Sequence, residues 1–112
     1  MQFRNAIEQY LAECFAREET PRACELAARC GLSPAQFTRA LLRESGMRPA
    51  DYLKLRQVEF ARRLLDTTEL NTTEVAYRAG FGTRATFFRV FRRITGETPA
   101  QFRRYSQHLE AS

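Results

Sequence analysis

Residues 75–96 read VAYRAGFGTRATFFRVFRRITG, and the order of small, glycine and apolar positions in this stretch decides the fold. Ala76 is small enough to lie where two helices cross, and Gly80, four residues on, can take the positive φ that ends a helix in a tight turn. After the turn, Phe87, Val90, Phe91 and Ile94 return at three- and four-residue steps, the spacing of one helical face. The stretch predicts a helix, a turn and a second helix whose apolar side, Phe87, Val90, Phe91 and Ile94, faces a core. Arg84, Arg89, Arg92 and Arg93 make up half of the remaining positions of the second helix, so its outward face needs a separate explanation.

The same unit occurs earlier in the chain. An offset of 49 pairs Ala27 with Ala76, Arg29 with Arg78 and Gly31 with Gly80. An offset of 50 pairs Phe37 with Phe87, Arg39 with Arg89, Arg43 with Arg93, Gly46 with Gly96, Pro49 with Pro99 and Ala50 with Ala100. The change of one residue places a single insertion in the second copy, at the turn around Gly82-Thr83. Internal repetition constrains architecture more than any short motif. The first copy is expected to point Phe37, Ala40 and Leu41 inward.

The remaining segments also read as helices. Ile7, Tyr10, Leu11, Cys14 and Phe15 recur at helical spacing, and Thr20-Pro21 has the form of a helix start with proline in the first position. Ser33 to Gln36, Asn71 to Glu74 and Thr98 to Gln101 each set a capping side chain three residues before Glu or Gln. Residues 50–66, ADYLKLRQVEFARRLLD, contain no Gly or Pro and are expected to bury Tyr52, Leu55, Val58, Ala61, Leu64 and Leu65. The expected architecture is all-α: two helix-turn-helix subdomains, about 5–48 and 71–106, joined by a linker helix over about 49–67. A helical rod of 17 residues measures about 25 Å, which suits two units set about one duplex turn, 34 Å, apart.

On a helical wheel, Ala85, Arg89 and Arg92 point away from the apolar stripe, with Phe88 and Arg93 at its flanks. The equivalent first-unit positions are Ala35, Arg39 and Leu42, flanked by Thr38 and Arg43. A solvated charged face accounts for one such helix. Two units with equivalent outward arginines, Arg39 and Arg89, and small residues near both helix starts suit two base-reading helices better. The chain carries a formal charge of +5. Residues 1–33 hold four basic and five acidic side chains, and residues 34–112 hold fourteen and eight. Only Lys54 among the basic residues is lysine, and the arginine fork matches phosphate oxygens and guanine edges. A GC-rich genome accounts for the arginine preference equally well, and an acidic protein partner is the alternative to nucleic acid.

The phrases GLSPAQFTR (31–39), GMRPADYL (46–53) and VAYRAGFGTRATFFRVFRRITGETPAQFRR (75–104) resemble the DNA-binding domain of the AraC/XylS family of bacterial transcription regulators, over about residues 7–105. The resemblance implies about seven helices, monomeric contact with double-stranded DNA, two recognition helices in successive major grooves of an asymmetric promoter site, and contact with RNA polymerase. It leaves open whether these residues are a whole regulator or the C-terminal piece of one with an N-terminal sensory domain. By position, base contacts fall to Ala35, Thr38 and Arg39 in the first unit and to Arg84, Ala85, Phe88 and Arg89 in the second. Gln36 and Thr86 are candidate edge contacts, and Arg43, Thr83, Arg92 and Arg93 are assigned to phosphates. Two departures stand out. Ala40-Leu41-Leu42 replaces the usual aromatic and basic residues, so Leu42 removes a phosphate contact. Phe88 sits where a small polar residue is common, and it either touches a thymine methyl or covers a neighbouring helix.

Other function classes find little support in the sequence. Cys14, Cys24 and Cys30 lack ligand-pair spacing, and an odd count argues against a disulfide framework; Cys14 and Cys30 are expected at apolar helical positions. His108 lies in a polar tail without catalytic company. No phosphate loop, metal spacing or nucleophile-base pair is present, so neither enzyme activity nor a cofactor or metal is expected. No apolar run reaches the roughly 18 to 20 residues of a membrane span, and the expected location is the bacterial cytoplasm, about the nucleoid.

Overall fold

A computed structural model describes the backbone of residues 2–111 and the side chains through Gln107. The side chain of His108 lies outside the described residues. Among the described residues there are seven helices and no strand: α1 (Arg4–Ala16), α2 (Ala23–Arg29), α3 (Pro34–Ser45), α4 (Pro49–Thr67), α5 (Thr72–Arg78), α6 (Arg84–Thr95) and α7 (Pro99–Ala111). None is long and apolar enough to cross a membrane.

Local chemistry fixes most of the helix starts. At α3, Ser33 accepts from the backbone N–H of Gln36 while the Gln36 side chain accepts from that of Ser33, a complete capping box. The same reciprocal pair joins Thr98 and Gln101 at α7. At α5 the reciprocal bond is not formed, and only Asn71 accepts, from Glu74. Thr83 caps α6, an arrangement the Glu/Gln pattern does not signal. The Thr20-Pro21 start is corrected: α2 begins at Ala23, and Arg22 is still extended with φ −122° and ψ 134°. The buried Tyr10 hydroxyl accepts from the Arg22 N–H at 2.8 Å and holds that extended entry.

Both helix-turn-helix turns use one device. After α2, Gly31 N–H bonds Ala28 O and Leu32 N–H bonds Ala27 O; after α5, Gly80 N–H bonds Tyr77 O and Phe81 N–H bonds Ala76 O. These crossed bonds form the Schellman motif, with glycine in the left-handed region at φ 72° and 77°. The α2–α3 turn spans residues 30–33 and the α5–α6 turn 79–83, which accounts for the inserted residue.

Two hydrophobic cores result. One gathers Ile7, Tyr10, Leu11, Cys14, Leu26, Ala27, Phe37, Leu41 and Leu53; the other gathers Val58, Ala61, Leu65, Val75, Ala76, Ala79, Phe81, Phe87, Val90 and Phe91. Helix α4 contributes to both. Its buried residues correct the expected pattern, because Leu53 and Gln57 are buried whereas Tyr52, Leu55 and Leu64 are half-buried. Gln57 spends its amide on the end of α5, Nε2 donating to Ala79 O at 3.0 Å. Ile94 is also corrected. It is exposed, beside an open groove shared with Leu55, Phe102 and Tyr105, because it lies beyond the buried stretch of α6.

The two units touch across the α1–α2 loop. Thr20 Oγ1 donates to Gly80 O at 2.5 Å, Glu18 pairs with Arg78 at 3.2 Å, and Phe15 stacks on Phe60 of α4 with centroids 4.2 Å apart. A Cβ on Gly80 would lie 2.6 Å from the Glu19 carbonyl oxygen, so the loop backbone rests directly against the second turn. Cys14 is buried and Cys24 exposed, while Cys30 caps the end of α2 half-buried.

Candidate nucleic-acid interface

Helices α3 and α6 each give one side to a core and the other to solvent. On α6, Phe87, Val90 and Phe91 are buried, while Arg84, Ala85, Arg89, Arg92 and Arg93 are exposed. On α3, Phe37, Ala40 and Leu41 are buried, while Ala35, Gln36, Arg39, Leu42 and Arg43 are exposed. Thr38, Thr86 and Phe88 are half-buried at the margins, and Thr83 is exposed at its cap.

The arginines divide by partner. Arg29 pairs with Glu13, Arg56 with Glu8 and Glu59, and Arg78 with Glu18. Arg103 donates to the carbonyls of Leu65, Thr68 and Leu70 and pins the α4–α5 loop. Among the described residues, none of Arg39, Arg43, Arg84, Arg89, Arg92 and Arg93 belongs to an ion pair. The outward helix faces thus carry positive charge outside any ion pair; among the described residues Arg4, Arg17, Arg48, Arg62, Arg63 and Arg104 are also in none, so what sets the six apart is their clustering on α3 and α6. Exposed cations of this kind attract a polyanion over about a Debye length.

The polar side chains on these faces keep part of their bonding capacity. Gln36 uses its carbonyl oxygen in the capping box and leaves its amide hydrogens for a base edge or phosphate. Thr38 donates to Pro34 O at 2.9 Å and keeps its acceptor lone pairs. Thr83 donates its hydroxyl to Thr86 Oγ1 at 2.9 Å and also accepts from the Thr86 N–H, so its proton is engaged within the cap. Arg84 lies against Phe88, its guanidinium carbon 4.5 Å from the ring centroid, and its Nε donates to Thr72 Oγ1 at 3.4 Å. Thr72 has no place among the residues expected from sequence, since a threonine opening α5 carries no local sign that an arginine 12 residues later will reach it.

The long dimension of the fold is 46 Å, against about 34 Å for one turn of B-DNA. Across residues 26–105 the chain matches the family model described as a helix-turn-helix domain. The chain belongs to the AraC/XylS-type helix-turn-helix family. Among family relatives, it is 41% identical over 83 residues to the HTH-type transcriptional regulator Rv1931c of Mycobacterium tuberculosis, covering 74% of this chain and 32% of that protein. It is 34% identical over 99 residues to the HTH-type transcriptional activator RhaS of Salmonella schwarzengrund, covering 88% of this chain and 35% of that one. The chain therefore spans about a third of the length of the curated relatives it matches. In structure it is similar to the DNA-binding domain of the transcriptional factor AdpA, solved in complex with a target DNA, with TM-score 0.82 and 29% identity over 96% of this chain and 97% of that one. A probable AraC family transcriptional regulator from Rhodopseudomonas palustris is similar with TM-score 0.68 and 27% identity, over 91% and 97% of the two chains.

Proposed function

We propose that this chain binds double-stranded DNA with sequence preference and regulates transcription, placing α3 and α6 in successive major grooves of an asymmetric promoter site. The observation that carries the reading is the set of unpaired, outward arginines on both second helices. The family and the DNA-bound neighbour support it. Each second helix enters the groove with its N-terminal residues toward base edges, as helix-turn-helix units do. In this reading Arg89, Arg84 and Arg39 read bases, Arg43, Arg92 and Arg93 neutralise phosphates, and Ala35 and Ala85 let the helices approach closely. Gln36, Thr38 and Thr86 reach base edges with their free donors or acceptors, while Thr83 acts through the cap that orients the start of α6. Leu42 offers no charge, so the second unit supplies the larger electrostatic share.

One monomer suffices for this arrangement, because both reading helices belong to one chain. RNA polymerase as a protein partner and an N-terminal sensory domain in the intact protein are extensions of the proposal; the second is in keeping with the greater length of the curated relatives. Selection of bound sequences from a random duplex pool at near-physiological salt tests the central reading. Enrichment of two unlike blocks about one turn apart, without a palindrome, is the expected result. Binding without enrichment would overturn it.

A further inference from the structure

The two units are not equivalent at one spot. In the second unit, Thr72, Arg84 and Phe88 converge: the guanidinium carbon of Arg84 sits 4.5 Å from the centre of the Phe88 ring, and its Nε donates to Thr72. The repeat places Ala23, Pro34 and Thr38 at the corresponding first-unit positions, and there these residues line a hollow together with Phe37. Only the second unit fills the space with an arginine laid on an aromatic ring.

We infer, resting on the proposed DNA-binding role, that Arg84 and Phe88 read two neighbouring base pairs as one unit: a guanine and, one step along, a thymine methyl. Three constraints lead there. The Phe88 ring is anchored, half-buried and set edge-on to Phe87 with centroids 6.3 Å apart and planes at 84°. The Thr72 hydroxyl engages Nε, so the two terminal nitrogens of Arg84 remain for a forked contact, and guanine presents the matching O6 and N7 pair in the major groove. A guanidinium bonded to that edge lies near the plane of the base. Base pairs stack about 3.4 Å apart, so a ring centred 4.5 Å from the guanidinium carbon belongs to the level of the adjacent pair. The apolar group on a major-groove edge is the thymine methyl. Phe88 therefore acts twice, positioning Arg84 and contacting the methyl itself.

The test uses the enriched site from the pool selection and measures affinity ratios on matched duplexes, so that any unfolded fraction of a variant cancels. Replacing one thymine beside the guanine by deoxyuridine removes only the methyl. Wild type is expected to lose about 3- to 10-fold there, Phe88→Ala nothing further, and Phe88→Tyr nearly as much as wild type. Arg84→Ala is expected to lose about 10- to 100-fold of its preference for the guanine, and Phe88→Ala part of it, with Phe88→Tyr restoring that part. Equal uracil penalties in wild type and Phe88→Ala, or preferences of Arg84 and Phe88 that map to separated base pairs, would overturn the inference. An enriched site without a guanine–thymine step refutes the paired reading alone; no enriched site refutes it together with the DNA-reading role.

Discussion

Gly31 and Gly80 hold equivalent places in the two units, with φ of 72° and 77°, yet their surroundings differ. A Cβ at Gly31 meets nothing within 4 Å, whereas one at Gly80 falls 2.6 Å from the Glu19 carbonyl oxygen and 3.3 Å from Pro21 Cδ. Alanine at either position incurs the left-handed penalty of roughly 1–2 kcal/mol, and the smaller entropy of the unfolded alanine chain offsets part of it equally in both. At Gly80 the loop backbone must also move, an overpacking cost of about 1–3 kcal/mol, and that displacement strains the Thr20 bond to Gly80 O. Gly80→Ala is therefore expected to be less stable than Gly31→Ala by about 1–3 kcal/mol. With a urea m-value of about 1–3 kcal/mol/M, the midpoints should separate by on the order of 1 M. Urea titrations of the two variants beside wild type measure the gap. Equal shifts would refute the argument that the loop rests against the second turn.

The remaining predictions concern charge, burial and the interface. The bond from Arg56 holds the Glu8 carboxyl below its ordinary value of 4.5. Its stabilisation is thus present above that value and is lost as pH falls through the lower, folded one. Glu8→Gln should melt below wild type at pH 7 and match it in acid; a constant difference across the pH range would count against the pair. Burial pushes the Cys14 and Cys30 thiols up while Cys24 is exposed, so a disulfide-exchange reagent at neutral pH should show one fast thiol, absent in Cys24→Ser. Gln57→Ala leaves the buried end of α5 without its donor and should cost about 1–3 kcal/mol of stability by thermal or urea unfolding; a neutral result would mean that water replaces the amide. On DNA, Arg89→Ala should cost about 1–3 kcal/mol at the preferred site and relax one base pair. Arg93→Ala should instead weaken preferred and random duplexes alike and lower the salt slope by about one. Salt titrations of both variants on both duplexes separate the two roles.

The repeat was legible because it is written in residues with few alternatives: Ala27 and Ala76 at the crossings, Gly31 and Gly80 in left-handed turns, Phe37 and Phe87 at the cores. The start of α2 was not, because Thr20 and Arg22 answer to distant partners. Thr20 bonds a carbonyl 60 residues away and Arg22 is held extended by Tyr10. Along α4 a single-face pattern fails because the helix serves two cores lying in different directions, which brings in Leu53 and Gln57. The outward placement of Arg39 and Arg89 follows from helical period alone. Their freedom from ion pairs does not, since Arg56 looks equally free in sequence until Glu8, 48 residues earlier, closes on it. The Arg84–Phe88 contact was within reach of the i, i+4 rule; the contribution of Thr72 was not.

The sharing of α4 between the cores also bears on how the chain reaches its native state. Leu53 completes the first core, and Val58, Ala61 and Leu65 complete the second, so neither unit can close until the same helix has formed. Partially folded chains with one unit native and the other open would keep half of α4 unsupported. The 60-residue link from Thr20 to Gly80 adds a further interaction that such a chain cannot make. Although built as a tandem repeat, the molecule thus couples the stability of its two units through α4 and the Thr20–Gly80 bond.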